Sequence, residues 1–314
     1  MMLAELFKSF NHFIHPATAD VTKPLLDPDE LNTLRIKASE AAQENITKMK
    51  SAQPLIGVQE SAKTGNGFDF ESLRQYQHTD SLRSINWRVF ARTGSLHVNT
   101  FNEERQHGMH IVMDRRQRMR FATQGQLKVT QAAMVCSYYA MLAEYSHISV
   151  SSTVLDSPTQ WQEKKTGSQH TQQAINDFIA ACPPVHQEQQ ASSISDVLKA
   201  SLLFTSPGDE VILASDFQDL LESDKASLYQ LGKQCSVTAY HILDPAEITL
   251  PAEQTYRLRD FRDSEYIDIN ALPSDTLAKH NALLQSKVSR IQKYLQEAGV
   301  DYHQLLNTDL FPKQ

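Results

Sequence analysis

From residue 109 onward, short apolar runs alternate with longer amphipathic stretches, and this alternation leaves few folds open. A strand over 109–114 is followed by a helix over 127–147 that is apolar on most sides, with Met134, Tyr138, Met141, Leu142 and Tyr145. A strand over 148–155 and an edge strand near Trp161 come next, then helices over 169–181 and 194–205. Glu210–Ser215 is a nearly continuous apolar run of the kind buried in parallel sheets. A helix over 219–232 and a strand over 236–243 continue the series. Tyr256–Leu258 and Tyr266–Ile269 read as short strands in an irregular stretch. Leu277, Leu284, Val288, Ile291 and Leu295 mark a long helix stopped by Gly299, and a last strand spans 300–306. The pattern predicts an α/β fold with a doubly wound, mostly parallel sheet.

Three regions are expected. Residues 1–56 are helical, with an amphipathic stretch (Leu3, Leu6, Phe7, Phe10, Phe13, Ile14) and a second helix that starts at Asp27-Pro28 and runs to about Lys50. Residues 57–108 form a small β-rich subdomain, in which Ser95–Asn99 alternates as a half-exposed strand. Residues 109–314 form the α/β domain.

Composition narrows the function. A net charge of −7 disfavours non-specific nucleic-acid binding. The three cysteines, Cys136, Cys182 and Cys235, fit no zinc or redox spacing and read as small buried hydrophobes. The longest nearly apolar run, Ala132–Ala143, falls short of the ~20 residues a membrane span needs. No basic region followed by an apolar core opens the chain, so a cytoplasmic location is expected. No nucleotide-binding glycine loop or Gly-x-Ser-x-Gly elbow is present. Ser215, Asp216 and His241 could be drawn as a hydrolase triad, but twelve histidines make chance triples common.

The stretch from Arg74 to Arg120 holds nine Arg and no Lys. A solvated basic face would mix the two. Arginine alone predicts planar, forked, partly buried pairing with carboxylates or backbone carbonyls. Asp69, Glu71, Asp80, Glu103 and Glu104 are the nearby candidates. The alternative is a surface for an acidic partner. Trp87, between Arg83, Arg88 and Arg92, is expected to be a core residue braced by arginine.

Phe70, Leu73, Arg74, Tyr76, Asp80, Arg83, Ile85, Trp87, Ala91–Gly94 and Glu103–Arg105, followed by a strand ending in Asp114, occur in order. In this the chain resembles the MoxR-associated, von Willebrand factor A-like family known as domain of unknown function fifty-eight. Leu213–Phe217, His241–Pro245 and Leu250-Pro251 extend the resemblance over about residues 30–310. It implies that Arg74, Tyr76, Asp80, Arg83, Trp87, Arg92, Glu104 and Arg105 are structural signature positions. It further implies a von Willebrand factor A-like domain of Rossmann type and a MoxR-type AAA+ ATPase as partner, with other von Willebrand A-like proteins possible. Asn86 stands where the family has Asp, and His78-Thr79-Asp80 where it has Pro-Gly-Asp.

Such domains carry a metal-ion-dependent adhesion site at the C-terminal ends of the strands. Here Asp114 and Asp216 arrive there on separate strands. The first loop of the site should read Asp-x-Ser-x-Ser, but this chain reads Asp114-Arg115-Arg116-Gln117-Arg118. Guanidinium has no lone pair to donate. A divalent ion ~5 Å from one Arg would meet roughly 6–7 kcal/mol of repulsion at an effective dielectric of 20. Ser192 or Ser193 could stand at the Thr position of the second loop. The expectation is a degenerate site at Asp114, Ser192 and Asp216, without Mg²⁺ or another cofactor. Either Arg116 or Arg118 turns inward to pair with Asp114 and Asp216, or both point to solvent.

The functional expectation is a non-enzymatic adaptor whose partner-binding face is Asp114, Arg116, Arg118, Ser192 and Asp216. The alternatives are a metal-dependent hydrolase using Asp114 and Asp216, or an Arg patch that binds an acidic protein or RNA.

Overall fold

The computed structural model describes residues 23–51, 69–77, 85–102, 107–182, 192–250, 256–259, 266–269 and 274–311. The amphipathic stretch 1–15 and the signature residues Asp80, Arg83, Glu104 and Arg105 lie outside them. The chain divides into two compact units, one within Lys48–Gln106 and the other from the residues before and after it.

In chain order the elements are α1 (Pro28–Ser51), β1 (Asp69–Gln75), α2 (Trp87–Thr93), β2 (His97–Asn102), β3 (Gly108–Asp114), α3 (Lys128–Tyr145), β4 (Ser149–Leu155), β5 (Gln160–Lys165), α4 (Ser168–Ile179), α5 (Ile194–Phe204), β6 (Glu210–Ser215), α6 (Lys225–Gln234), β7 (Ser236–Leu243), β8 (Tyr256–Arg259), β9 (Tyr266–Ile269), α7 (Ser274–Glu297) and β10 (Asp301–Leu306).

Six strands form one sheet in the order β10-β7-β6-β3-β4-β5. All pairs are parallel except β4–β5, which is antiparallel, as befits an edge strand near Trp161. Alternation within β3 divides the core. Met109, Ile111 and Met113 pack on one face with α1 (Leu34, Ala38), α3 and α4 (Ile175, Phe178). Val112 packs on the other with α5 (Val197, Leu198), α6 (Leu228, Leu231) and α7 (Ile291, Leu295). The helix expected in a separate N-terminal region thus contributes to the core of the larger unit.

Every residue of β3 and β4 is buried, including polar ones. His110 lies between Ser151 (Nδ1, 2.9 Å) and Thr153 (Nε2, 3.3 Å). Burial pushes its pKa down to about 4, so it is neutral at pH 7. Among the described residues no helix is long and apolar enough to cross a membrane.

The helix expected over 219–232 starts later. Residues 217–221 are used instead to build the lip of the sheet, and the Leu221 N–H is taken by Asp224 Oδ2 (2.9 Å) just before α6. The third expectation to change is Trp87. It is 60% exposed on α2, a helix with no buried residue, and packs edge-on against Phe90 with ring centres 6.0 Å apart. The helix is held by its ends: Asn86 caps it through Val89 N–H (3.1 Å), and Gly94 closes it at φ +72°. Asn86, divergent in sequence, thus keeps the cap that either Asn or Asp can form.

Candidate functional site at the lip of the sheet

β3 and β6 are neighbours, with Met113 opposite Ala214. The chain leaves β3 toward β4 on one side, while β6, β7 and β10 extend the sheet on the other. This is where strand order reverses, the place where open α/β sheets hold ligands. Asp114 ends β3, Ser215 ends β6, and Asp216 follows directly.

Arg116 folds back on its own loop. Its Nε donates to Asp114 Oδ1 (3.0 Å) and its Nη2 to Asp114 Oδ2 (2.7 Å). The same guanidinium reaches across the reversal point to Asp219, Nη1 to Oδ2 (2.5 Å) and Nη2 to Oδ1 (2.8 Å). Asp114 also accepts from the Arg116 N–H (3.0 Å) and the Ser215 hydroxyl (2.7 Å). Burial opposes the charge on Arg116, but Asp114 and Asp219 outweigh it and raise its pKa. Asp219 would be raised by its own burial, yet its hydrogen bonds to Arg116 hold it below the usual carboxylate range.

Asp216 has a different partner. It is fully buried, and its Oδ2 accepts from Lys128 Nζ (3.2 Å). Lys128 lies in the first turn of α3, where the helix dipole disfavours a cation. Its ammonium also donates to Glu247 (2.7 Å), which takes a further hydrogen bond from Gln218 (2.8 Å). Burial would lower the Lys128 pKa, but Glu247 and Asp216 raise it. Burial would raise Asp216; the charges of Lys128, Arg118 and Arg116 bring it down to about 2. At Glu247 burial wins and its pKa rises. Between Asp216 and Gln218, Phe217 sits at φ +49°, an uncommon conformation for a bulky residue, held by its complete burial.

Arg116 therefore turns inward toward Asp114, but the cation of Asp216 is Lys128, not an arginine. Arg116 and Lys128 together bring two positive charges, as many as one divalent ion. Their N–H groups engage both Asp114 oxygens and Asp216 Oδ2, so the donors do not fit a metal as arranged. Among the described residues no group of three or more His, Cys, Asp or Glu is arranged to hold one.

Two further arginines of the loop, Arg115 and Arg120, behave as all-Arg usage predicts. Arg115 donates to the carbonyls of Asp177 (2.7 Å), Ala180 (3.0 Å) and Ala181 (3.1 Å). Arg120 donates to Asp156 (2.7 Å) and the Arg115 carbonyl (2.9 Å). Their acceptors are none of the acidic residues expected. Arg118 alone stays at the rim, its side chain 29% exposed and 3.6 Å from Asp219.

The Ser192 hydroxyl accepts from Thr159 (3.0 Å), and Ser193 caps α5 in a capping box with Asp196. This loop reaches the site through the Ile194 N–H, which donates to Asp219 Oδ2 (3.0 Å). Ser215 faces Asp114, while His241 Nδ1 meets the Tyr302 hydroxyl (2.9 Å), so the imagined triad does not assemble. Asp114, Arg116 and Asp216 are all buried, and Arg118 is partly exposed at the rim. Sequence reasoning missed Lys128, Asp219 and Glu247. Lys128 had one visible signal, as the single charge at the head of an apolar helix.

The family described as protein of unknown function DUF58 matches residues 72–285, more than half of the chain. The chain belongs to the DUF58 family. The match spans the lip from Asp114 to Glu247, so the paired charges lie within the DUF58 region. No curated protein matches the sequence. Among solved structures, the conserved hypothetical protein BatB from Bacteroides thetaiotaomicron is 14% identical, with 62% of this chain and 98% of that one covered and a TM-score of 0.36. An aerotolerance-related membrane protein from Bacteroides fragilis is 13% identical over the same shares, with a TM-score of 0.35. An uncharacterized membrane spanning protein from Vibrio fischeri is 12% identical, covering 60% of this chain and 98% of its own, with a TM-score of 0.21.

Proposed function

We propose that this DUF58 chain is a non-enzymatic interaction module of von Willebrand factor A type, in which built-in cations replace the divalent ion at the lip of the sheet. The observation that carries this reading is the double pairing of Arg116 with Asp114 and Lys128 with Asp216 at the strand-order reversal. A module of this kind keeps its lip preorganised without a metal. Asp114, Arg116 and Asp216 then shape the surface from beneath, while Arg118 and Ser192 stand closer to a partner.

The sequence resemblance to the MoxR-associated family supports a MoxR-type AAA+ ATPase as that partner, in the cytoplasm, with ATP turnover on the partner. A metal-dependent hydrolase built on Asp114 and Asp216 is disfavoured, because both carboxylates are buried and already paired.

The test is co-purification with a MoxR-type ATPase encoded beside this chain. Binding is expected to survive chelation by EDTA and to fall in the R116S/R118S double variant. No co-purification would sink the adaptor reading. Calorimetric Mg²⁺ binding on the order of micromolar, abolished by Asp114→Ala, would sink the replacement of the metal.

A further inference from the structure

Arg118 stands apart from its neighbours. Arg115, Arg116 and Arg120 are buried and committed to carbonyls and carboxylates. Among the described residues Arg118 has one ionic contact, 3.6 Å to Asp219, and no hydrogen bond. Asp219 is held first by Arg116, which takes both carboxylate oxygens, and by the Ile194 N–H, so Arg118 stands off as a looser contact. The backbone on either side of Arg118 is nonetheless anchored. Met119 beside it is fully buried, and Arg120 is held by Asp156. A guanidinium with idle forked donors on an anchored backbone matches the geometry of a planar acid.

An apolar group is held in the loop that carries Asp219. Leu221, two residues on, is 61% exposed, although its neighbour Leu220 is buried. The Asp224 carboxylate accepts from the Leu221 N–H and fixes the backbone from which this side chain projects. Of the neighbouring carboxylates, Asp196 closes the α5 capping box, while Glu222 is largely exposed with a loose contact to Lys225 (3.6 Å).

We infer that Arg118 and Leu221 form a recognition point for a protein segment carrying an acidic side chain beside an apolar one, the acid binding the Arg118 guanidinium directly, with no bridging metal. This rests on the lip being an interaction face. It adds the chemistry of the partner: acid and apolar contact together, where a metal-loaded lip would need only the acid.

The experiment is fluorescence anisotropy on the full chain with a labelled peptide alternating Asp and Leu, in EDTA, against counterparts alternating Asn and Leu or Lys and Leu. The Asp/Leu peptide is expected to bind, and the Asn/Leu peptide to bind about tenfold or more weakly. Arg118→Ser and Leu221→Ser should each weaken the Asp/Leu peptide several-fold, and Arg118→Glu should shift preference to the Lys/Leu peptide. Equal binding of the Asp/Leu and Asn/Leu peptides, no binding of either, or indifference to Arg118→Glu in a variant with unchanged thermal unfolding would overturn the inference. If the ATPase co-purifies while these variants change nothing, only this inference fails. If the peptides behave as expected but no ATPase co-purifies, only the adaptor reading fails.

Discussion

The loops after β3 and β6 reach the same point of the sheet and solve the same problem in different ways. Each brings a buried carboxylate to the end of a strand, and each must neutralise it. After β3 the cation is local: Arg116 follows Asp114 by two residues and also retains the backbone N–H that caps the same oxygen. After β6 the cation comes from far along the chain, 88 residues away, on the first turn of α3. The local solution is redundant, since Asp114 keeps Ser215 and a backbone N–H if the arginine is lost. The distant one is less so, because without the ammonium Asp216 keeps a single longer hydrogen bond, from the Gln218 N–H (3.2 Å), although Glu247 keeps Gln218 and the Asp244 N–H.

The sharpest way to break the comparison is Lys128→Met. It removes the shared cation of two carboxylates, one of them fully buried, and a loss of about 3–5 kcal/mol in urea unfolding at pH 7 is expected. A loss under about 1 kcal/mol would mean that the ammonium is not the main support of the β6 loop. Arg116→Ser should cost less, about 2–3 kcal/mol, because hydrogen bonds to Asp114 remain. If Arg116→Ser proves the costlier change, the redundancy argument is wrong.

Acidification sharpens the same contrast. Asp216 has a folded pKa lowered to about 2, so its pairing stabilises the fold above the unfolded value near 3.8 and fades as pH falls through 2. Glu247 acts with the opposite sign. Burial raises its pKa, so it costs stability above its unfolded value of 4.5, and that cost is relieved as pH falls through the raised folded value. Glu247→Gln should therefore remove the gain in stability seen on lowering the pH toward 4.5, measured by urea unfolding across pH. An unchanged profile would contradict the assigned sign.

The smallest effect on stability belongs to Arg118→Ser. Its loose contact at the rim predicts a change within about 0.5 kcal/mol, even though peptide binding should suffer. A larger loss would make Arg118 a structural residue like its three neighbours.

Much of the sheet could be read in the sequence because periodicity is local. The apolar run 210–215 and the edge strand expected near Trp161 correspond to β6 and β5 of the structure. Helix α6 was misplaced because 219–224 look helical in isolation, while the lip requires Leu220 inside, Asp219 on Arg116 and the Leu221 N–H on Asp224. Trp87 was misjudged for a related reason: an aromatic residue among arginines suggests burial, yet α2 is closed by its caps and buries nothing.

What the amino-acid sequence determined by itself was the sheet, the arrival of Asp114 and Asp216 at its lip, and an arginine close enough to fold back onto the first of them. These depend on spacing along the chain, and propensity and short loops act at that range. Only tertiary structure could decide that Lys128 belongs to Asp216, that Asp219 shares Arg116, and that Arg118 is left with idle donors. Those outcomes depend on which strand ends lie side by side and on how few cations fit into a site closed to water, and neither is written in any local stretch of residues.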